Sequence, residues 1–578
     1  MKPRYKKSLY LLVAATVVTG TAVADEKESV FRWNTVINNS DVMPPLYIRN
    51  FNSYNPPSVN TKGMVVVRAR SRGGPPLGPA THGIYMRDMG QADSEIVRVL
   101  DRTTPVPGPN NLNSTFVETP SFPRIDMHTD TIATRGNHQP VHRYYEPDGT
   151  ETRAGTTGIY SNPYDGELIT GAAKLGHVPN FGFFGVPEQN NVTFEVFPGA
   201  PSVTNGNVIA FKGNYTGDGT EKTGVYFRHL SPGYHGGTDP SILIANTGTL
   251  IPGTDTFFGS TAPPNAADRK VVFAGFDDEL NPAKGGIYMA PLMYSPTLTT
   301  LVSIGQRVPG DTTKARFNAL GEGIAFDGRY VGFWGAWGEE ARALKLYCPQ
   351  EGNKDRIAYC NQQLVCEDTG ELKGDPGSIC DDTGCYQERG IPVNQGIFVH
   401  DTRTKRTHLV ARTGEDFDDF LFWNYAGKAP CTGGGHHGGG EEGGEEDGES
   451  VRWRSSAYLA VSTGIRATFR SAFKARAAET VDRMYVDPVD GIYLREGPGR
   501  SPILTVADTT MVGQRLDPEA PLDSTIVEVG IEREGLRGDW LAINAKMGVE
   551  GGEEEDDMAG IYITKLDPRT CCRAPAAN

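Results

Sequence analysis

The sequence predicts an all-β chain folded as a seven-bladed β-propeller, and three observations carry that expectation. A tripeptide of Gly, then Ile or Val, then Tyr or Phe opens at Gly83, Gly158, Gly224, Gly286, Gly396, Gly491 and Gly560. Each copy follows an apolar, strand-like segment, and most are followed by another, often with a Pro-Gly turn beyond it. The last copy lies so near the C-terminus that its unit lacks an outer strand, while Val30 to Ile37 (VFRWNTVI) offers one at the other end. Length alone suggests about four domains, but repeats share one continuous core and override that count.

In chain order, the first residues read as an export signal. Lys2, Arg4, Lys6 and Lys7 precede an apolar run from Leu9 to Val18, then Ala22-Val23-Ala24 before Asp25, which is the order of a cleaved leader. The expected domains are a signal peptide over 1–24, a propeller over 25–570 and a tail over 571–578. No later run approaches the ~20 apolar residues of a membrane-spanning helix, so the expectation is a secreted or periplasmic protein with no membrane span.

The repeating unit is plainest in the middle. Arg269 to Phe276 (RKVVFAGF) is strand B, Gly286 to Leu292 (GIYMAPL) strand C and Thr299 to Ile304 (TTLVSI) strand D, before a Val308-Pro309-Gly310 turn. A Phe-containing segment upstream supplies strand A. Strand B recurs at Met64 to Arg70, Thr129 to Gly136, Asn207 to Gly213, Arg329 to Gly335, within Tyr458 to Arg476, and at Asp539 to Lys546. Strand D recurs at Glu95 to Leu100, Ser241 to Ala245, Thr407 to Ala411 and Pro502 to Ala507. Four short strands repeated radially are a propeller blade. Seventy Gly and forty Pro, with many β-branched and aromatic residues, suit short strands and tight turns. The N-terminal strand is expected to pair beside the last strand C, interlocking the ends and removing exposed edges. The tripeptide itself is structural: Gly permits close strand approach or a bulge, and Tyr fills the layer between blades.

Asp327-Gly328-Arg329-Tyr330-Val331-Gly332-Phe333, leading to Gly396-Ile397-Phe398-Val399-His400-Asp401 and Thr407-His408-Leu409-Val410, resembles the TolB-like propeller repeat. In that family an Asp-Gly turn precedes an inner strand and a later strand ends in Asp. The resemblance covers one blade and implies a fold and a habit of binding partners.

In such a blade the B-to-C and D-to-A loops emerge on one face. The long segments sort there: His138 to Thr157, Gly171 to Ala200, a Cys-rich insertion over 338–395 within blade five, a Gly/His/Glu-rich flexible loop over 427–450, and Met547 to Ala559. Loops on a rigid scaffold are where binding usually resides. The insertion carries Cys348, Cys360, Cys366, Cys380 and Cys385, and Cys431 in the neighbouring loop is the natural sixth, giving three disulfides suited to an oxidising compartment. Cys571 and Cys572 fall on the opposite face.

The net charge of −15 is local: Glu441 to Glu449 and Glu550 to Asp557 each hold six acids, and without those twelve the chain carries −3. The sequence displays no basic stripe of the kind a nucleic-acid backbone needs, so no nucleic-acid partner is expected. The two acidic loops are expected to form a negative lip that attracts calcium or a basic partner and repels polyanions. His436, His437, Glu441 and Glu442 offer nitrogen and oxygen ligands for a divalent cation, Ca or Zn. Gly on every side gives them no preorganisation, and the composition equally suits a solvated loop. His138 and His142, near Tyr144 and Tyr145, form a second candidate pair. Asn38, Asn113, Asn191 and Asn214 begin glycosylation sequons.

Enzyme signatures are missing: no His-Glu-x-x-His, no Gly-x-Ser-x-Gly, no phosphate-binding Gly-rich loop with Lys, and no full calcium loop. Catalytic residues are therefore unassigned. The expectation is a binding or interaction module acting through its decorated face on a protein or glycan of the cell envelope or extracellular space. The alternatives are a hydrolase or lyase with a composite site at the channel mouth, and a divalent-cation-binding surface protein.

Overall fold

A computed structural model describes residues 31–566 except 46–47, 74–75, 77, 79, 109–113, 139–141, 146–150, 155–156, 175–184, 233–238, 280, 349–377, 382–383, 427–451, 465–467, 499–500 and 553–556. The expected signal peptide and tail lie outside the described residues. Seven antiparallel sheets radiate around one axis, each in the order A-B-C-D. Blade 4 is typical: Ser260–Thr261 and Asn265–Ala267 form a broken strand A, Lys270–Phe276 is B, Gly285–Pro291 is C and Thr299–Ser303 is D. The chain closes as the sequence predicts. Trp33–Asn38 pairs antiparallel with strand C of blade 7, Met558–Lys565, from Trp33 opposite Thr564 to Asn38 opposite Gly560.

Apolar side chains of successive blades meet in seven layers, among them Val66 and Ile132 between blades 1 and 2, and Ala69 and Ile561 between blades 7 and 1. One module recurs in these layers. The Gly of strand C faces a Gly or Ala of strand B, as in Gly158 opposite Gly136, Gly224 opposite Gly213 and Gly491 opposite Ala475. A Cβ at Gly224 would stand 2.6 Å from the Tyr226 hydroxyl oxygen, because the tyrosine two residues on folds back over the glycine. A phenylalanine at the start of strand A, or just before it, lies on the strand B glycine and meets that tyrosine edge-on. Phe51 and Tyr85, Phe116 and Tyr160, and Phe258 and Tyr288 have centroids 4.9, 4.8 and 5.2 Å apart, near perpendicular. Such pairs add about 0.5–1.5 kcal/mol beyond their buried area. Strand C bulges against strand D between the Ile or Val and the aromatic residue, for example at Ile287/Tyr288, so the bulge expected of the Gly is present.

Sequence reasoning missed one strand and placed another loosely. Strand D of blade 2 is Ile169–Ala173 (ITGAA), too small-residued to stand out, and strand B of blade 6, expected within Tyr458 to Arg476, starts at Phe469 and runs on to Val481. The limits of the Cys-rich insertion also change. Strands B and C of blade 5 extend to Tyr330–Tyr347 and Gly384–Asp401, so both ends of 338–395 are hairpin stem. This stem leans on the shorter but still extended hairpin of blade 6, Phe469–Val481 with Met484–Glu496: Lys345 N donates to the Arg483 carbonyl at 3.0 Å, and Arg483 pairs with Glu388. Together they raise a wall on the face where the B-to-C loops emerge.

The residues of the TolB-like resemblance are framework. Asp327 Oδ1 accepts from the amides of Arg329 and Tyr330, closing the turn into strand B. Arg329 then clamps Asp401 through Nε at 3.0 Å and Nη2 at 2.7 Å. Burial opposes ionisation of Asp401, but this guanidinium and two backbone amides hold it down to about 2.

Candidate binding site at the channel mouth

The inner segments of strand A make a closed ring about the axis, and side chains stitch neighbouring blades there. Ser58 Oγ donates to the Pro123 carbonyl at 2.9 Å, Ser202 Oγ accepts from Ala266 N at 2.9 Å, and Arg537 Nη1 reaches the Val461 carbonyl at 3.3 Å. Blade 7 then plugs the ring. Its strand A breaks between Thr525–Gly530 and Leu536–Arg537, and the intervening Ile531-Glu532-Arg533-Glu534-Gly535 turns into the axis. Glu532 pairs with Arg124 of blade 2. Arg533 crosses to blade 4 and donates to the carbonyls of Pro263 and Pro264 at 3.3 and 3.4 Å. Burial opposes ionisation of Glu532, yet Arg124 and Arg533 keep it below the usual carboxylate range. Buried charges of this kind persist only when paired.

Above the plug, on the face of the long hairpins, a cavity of about 410 Å³ opens. Five blades wall it: Tyr54 and Asn55 from blade 1, Phe122 from blade 2, Leu344 from the blade 5 hairpin, Lys474 and Tyr485 from blade 6, and Glu528 and Asn544 from blade 7. Asp490 fixes the two bases of blade 6, taking Arg476 at 2.7 and 3.0 Å and Lys474 at 3.8 Å. Burial lowers the Lys474 ammonium from its ordinary range, with Asp490 and Glu528 acting against that shift. Tyr485 donates to Asp419, which burial raises despite this bond and the Leu421 amide.

The cavity continues outward. A second space of about 710 Å³ shares Tyr54, Glu528 and Asn544 with it, and a third of about 480 Å³ shares Asn39, Asn52, Arg72 and Asp557 with the second. The run is one groove from the channel mouth to the rim between blades 7 and 1. Three polar atoms on its walls are buried with no hydrogen-bond partner among the described residues: Tyr54 Oη, Asn544 Oδ1 and Asn39 Oδ1. Asn544 is 8% exposed. Burial, then Asp41 and Asp517, raise the Tyr54 phenol well above its ordinary value, so it stays neutral. Other buried polar atoms also lack a partner among the described residues, Tyr85 Oη in the interior of blade 1 among them; these three differ in belonging to residues that line open space, where a ligand's polar groups can reach them.

The expected site residues fall elsewhere. His436, His437, Glu441 and Glu442 lie outside the described residues, as do Cys360, Cys366 and Cys431. Cys348 is buried, and Cys380 and Cys385 face each other across a short hairpin as backbone positions. The three-bridge arrangement thus lies beyond what the described residues establish. Among the described residues no group of three or more His, Cys, Asp or Glu could hold a metal ion. His138 is 4% exposed, its ring 6.4 Å from that of Tyr160, so it belongs to the blade interior. His142, Tyr144 and Tyr145 are strand positions opposite Ala154, Thr152 and Glu151. Of the expected acidic lip, Asp557 pairs with Lys546 at 3.2 Å and faces the groove. Asn38, the first of the sequons, has its side chain buried and donating to Asp517 at 2.8 Å. Sequence reasoning did not find Tyr54, Asn52, Asn544 or Lys474, which belong to no motif and meet only when the ring closes.

No family model and no curated protein matches the sequence. The TolB-like resemblance therefore has no family match behind it. Solved structures similar to the chain include prolyl oligopeptidase B from Galerina marginata, at 9% identity and TM-score 0.29 over 87% of this chain and 56% of that one. Sucrose-6-phosphate hydrolase from Lactobacillus gasseri is 9% identical with TM-score 0.23 over 93% and 94%. Periplasmic gluconolactonase from Pseudomonas aeruginosa is 12% identical with TM-score 0.20 over 78% and 99%. The chain spans little more than half of the prolyl oligopeptidase. These likenesses carry nothing about chemistry, and the propeller assignment rests on the strand pairing above. Among the described residues no helix is long and apolar enough to cross a membrane.

Proposed function

We propose that this protein is an exported binding module that takes a saccharide chain in the groove between the channel mouth and the rim of blades 7 and 1. The observation that carries the reading is the groove itself: three joined cavities walled by Asn amides and tyrosines, with buried polar atoms left without partners. Amides donate and accept in the pattern that sugar hydroxyls present, and a tyrosine offers an apolar face beside a polar tip. A protein partner would instead favour an apolar centre with a polar rim. The leader-like N-terminus and the cysteine content support export to the periplasm or beyond.

A catalytic role at the mouth has less behind it. Glu528 is the one carboxylate among the described residues lining the mouth cavity, whereas glycoside hydrolysis ordinarily needs two flanking the bond. The test is calorimetry of the protein against a panel of soluble polysaccharides, repeated with Tyr54→Phe and Asn52→Ala. Binding by the parent, weakened about tenfold in either variant at unchanged melting temperature, supports the groove. Saccharide binding that both variants retain in full would place the ligand elsewhere and overturn the reading.

A further inference from the structure

The chain carries −15 overall, yet the groove reverses that sign. Its described walls hold six bases, Arg49, Arg70, Arg72, Lys474, Arg476 and Lys546, against three acids, Glu519, Glu528 and Asp557. Pairing occupies both signs: Asp557 takes Lys546 at 3.2 Å, Asp490 takes Arg476 at 2.7 and 3.0 Å and Lys474 at 3.8 Å, and Glu519 accepts from Asn38 at 3.3 Å.

The source of the excess is legible in blade 1. Arg70 and Arg72, at the end of strand B and just beyond it, line the second cavity, and Arg72 lines the third as well. Arg68 donates to Asn55 at 2.8 Å, a residue of the mouth cavity, and lies 3.7 Å from Glu118. Arg72 donates to Asn52 at 3.3 Å on the groove wall. His82, opposite Arg70 in the register, reports the local field: burial, then Arg68, Arg102 and Arg70, push its imidazole down to about 3, with Asp101 opposing. Like charges so close repel, and a protein that gathers them along a concave surface lowers that cost when an anion arrives.

We infer that the ligand is an acidic saccharide, one whose carboxylates or sulfates lie along the arginine side of the groove while its hydroxyls meet Tyr54, Asn544 and the other amides. Arginine presents a planar fork that matches either anion. This inference rests on the saccharide-binding reading and adds the charge of the ligand to it.

The experiment measures binding of the full mature protein to polygalacturonate, alginate and hyaluronate, each beside its carboxyl-reduced counterpart, and to dextran sulfate beside dextran. Carboxylated or sulfated chains should bind at least about tenfold more tightly than their neutral partners, with affinity falling as salt rises. The paired arms tell carboxylate from sulfate. Arg70→Ala with Arg72→Ala, both on exposed side chains, should remove that preference while leaving the melting temperature unchanged. Neutral partners that bind as tightly as the acidic chains would overturn the inference and leave the groove reading standing. Binding to none of these polymers, charged or neutral, would defeat both.

Discussion

Blades 4 and 7 build the same Gly-Ile-Tyr strand into different surroundings. In blade 4 the tyrosine is gripped by local chemistry: Phe258 stands edge-on to Tyr288, and a Cβ at Gly275 would meet the Phe258 ring at 2.7 Å. In blade 7 the Tyr562 hydroxyl donates to Asp517 at 3.0 Å, and Asp517 also receives Asn38 of the closing strand at 2.8 Å. A contact within one repeat is thereby replaced by a polar junction joining the two ends of the chain. The same blade supplies the axial plug and one wall of the groove. Departure from the repeat therefore marks the part of the ring that does something besides repeat.

The comparison breaks most severely at the closure. A chain beginning at residue 41 lacks Phe31, Val36 and Ile37, all buried, and each such side chain contributes about 1.5–3 kcal/mol on burial. It also leaves Met558–Lys565 as an open edge ready to pair with another chain. Against a chain beginning at Asp25, it should melt far lower and elute as aggregate on gel filtration. An unchanged melting temperature would mean that blade 7 holds without its borrowed strand.

Next in size is the local grip. Phe258→Ala in blade 4 empties the space above Gly275 and should cost about 3–5 kcal/mol in denaturant unfolding. Gly275→Ala, destabilising in the parent where its methyl group would meet the Phe258 ring, should become neutral or recover about 1 kcal/mol when combined with Phe258→Ala; an equal loss in both backgrounds would show that the ring does not sit on the glycine.

The fold was legible because its cause is periodic. Gly and Tyr recur at fixed spacing since each layer between blades poses the same packing problem, and even the closing strand showed itself as Val30 to Ile37. The plug was not legible, because Ile531-Glu532-Arg533-Glu534 looks like any polar loop until Arg124 and Pro263 are brought to it from blades far away in sequence. The groove was half legible. The face was deduced from the loop-sorting argument, and Arg70 and Arg72 at the end of a strand B could have flagged its charge. Tyr54, Asn52 and Asn544 carried no signal, since single polar residues within strands acquire meaning only through neighbours supplied by closure. The His/Glu loop drew the eye by composition, which says nothing of what surrounds it.

The finest contrast is a single oxygen. Tyr562→Phe deletes the donor to Asp517, which keeps Asn38 Nδ2 and the Glu519 amide, so the loss should be about 0.5–1.5 kcal/mol. Tyr85 occupies the equivalent place in blade 1, held edge-on by Phe51, and its hydroxyl is buried with no partner among the described residues. Tyr85→Phe removes an unpaid desolvation cost and should leave stability unchanged or slightly raised. Parallel denaturant titrations of the two variants decide the matter. Opposite signs mean that the tripeptide's tyrosine is an aromatic wedge in one blade and a hydrogen-bonded latch in the other, whereas equal losses would return blade 7 to the rule of the other six.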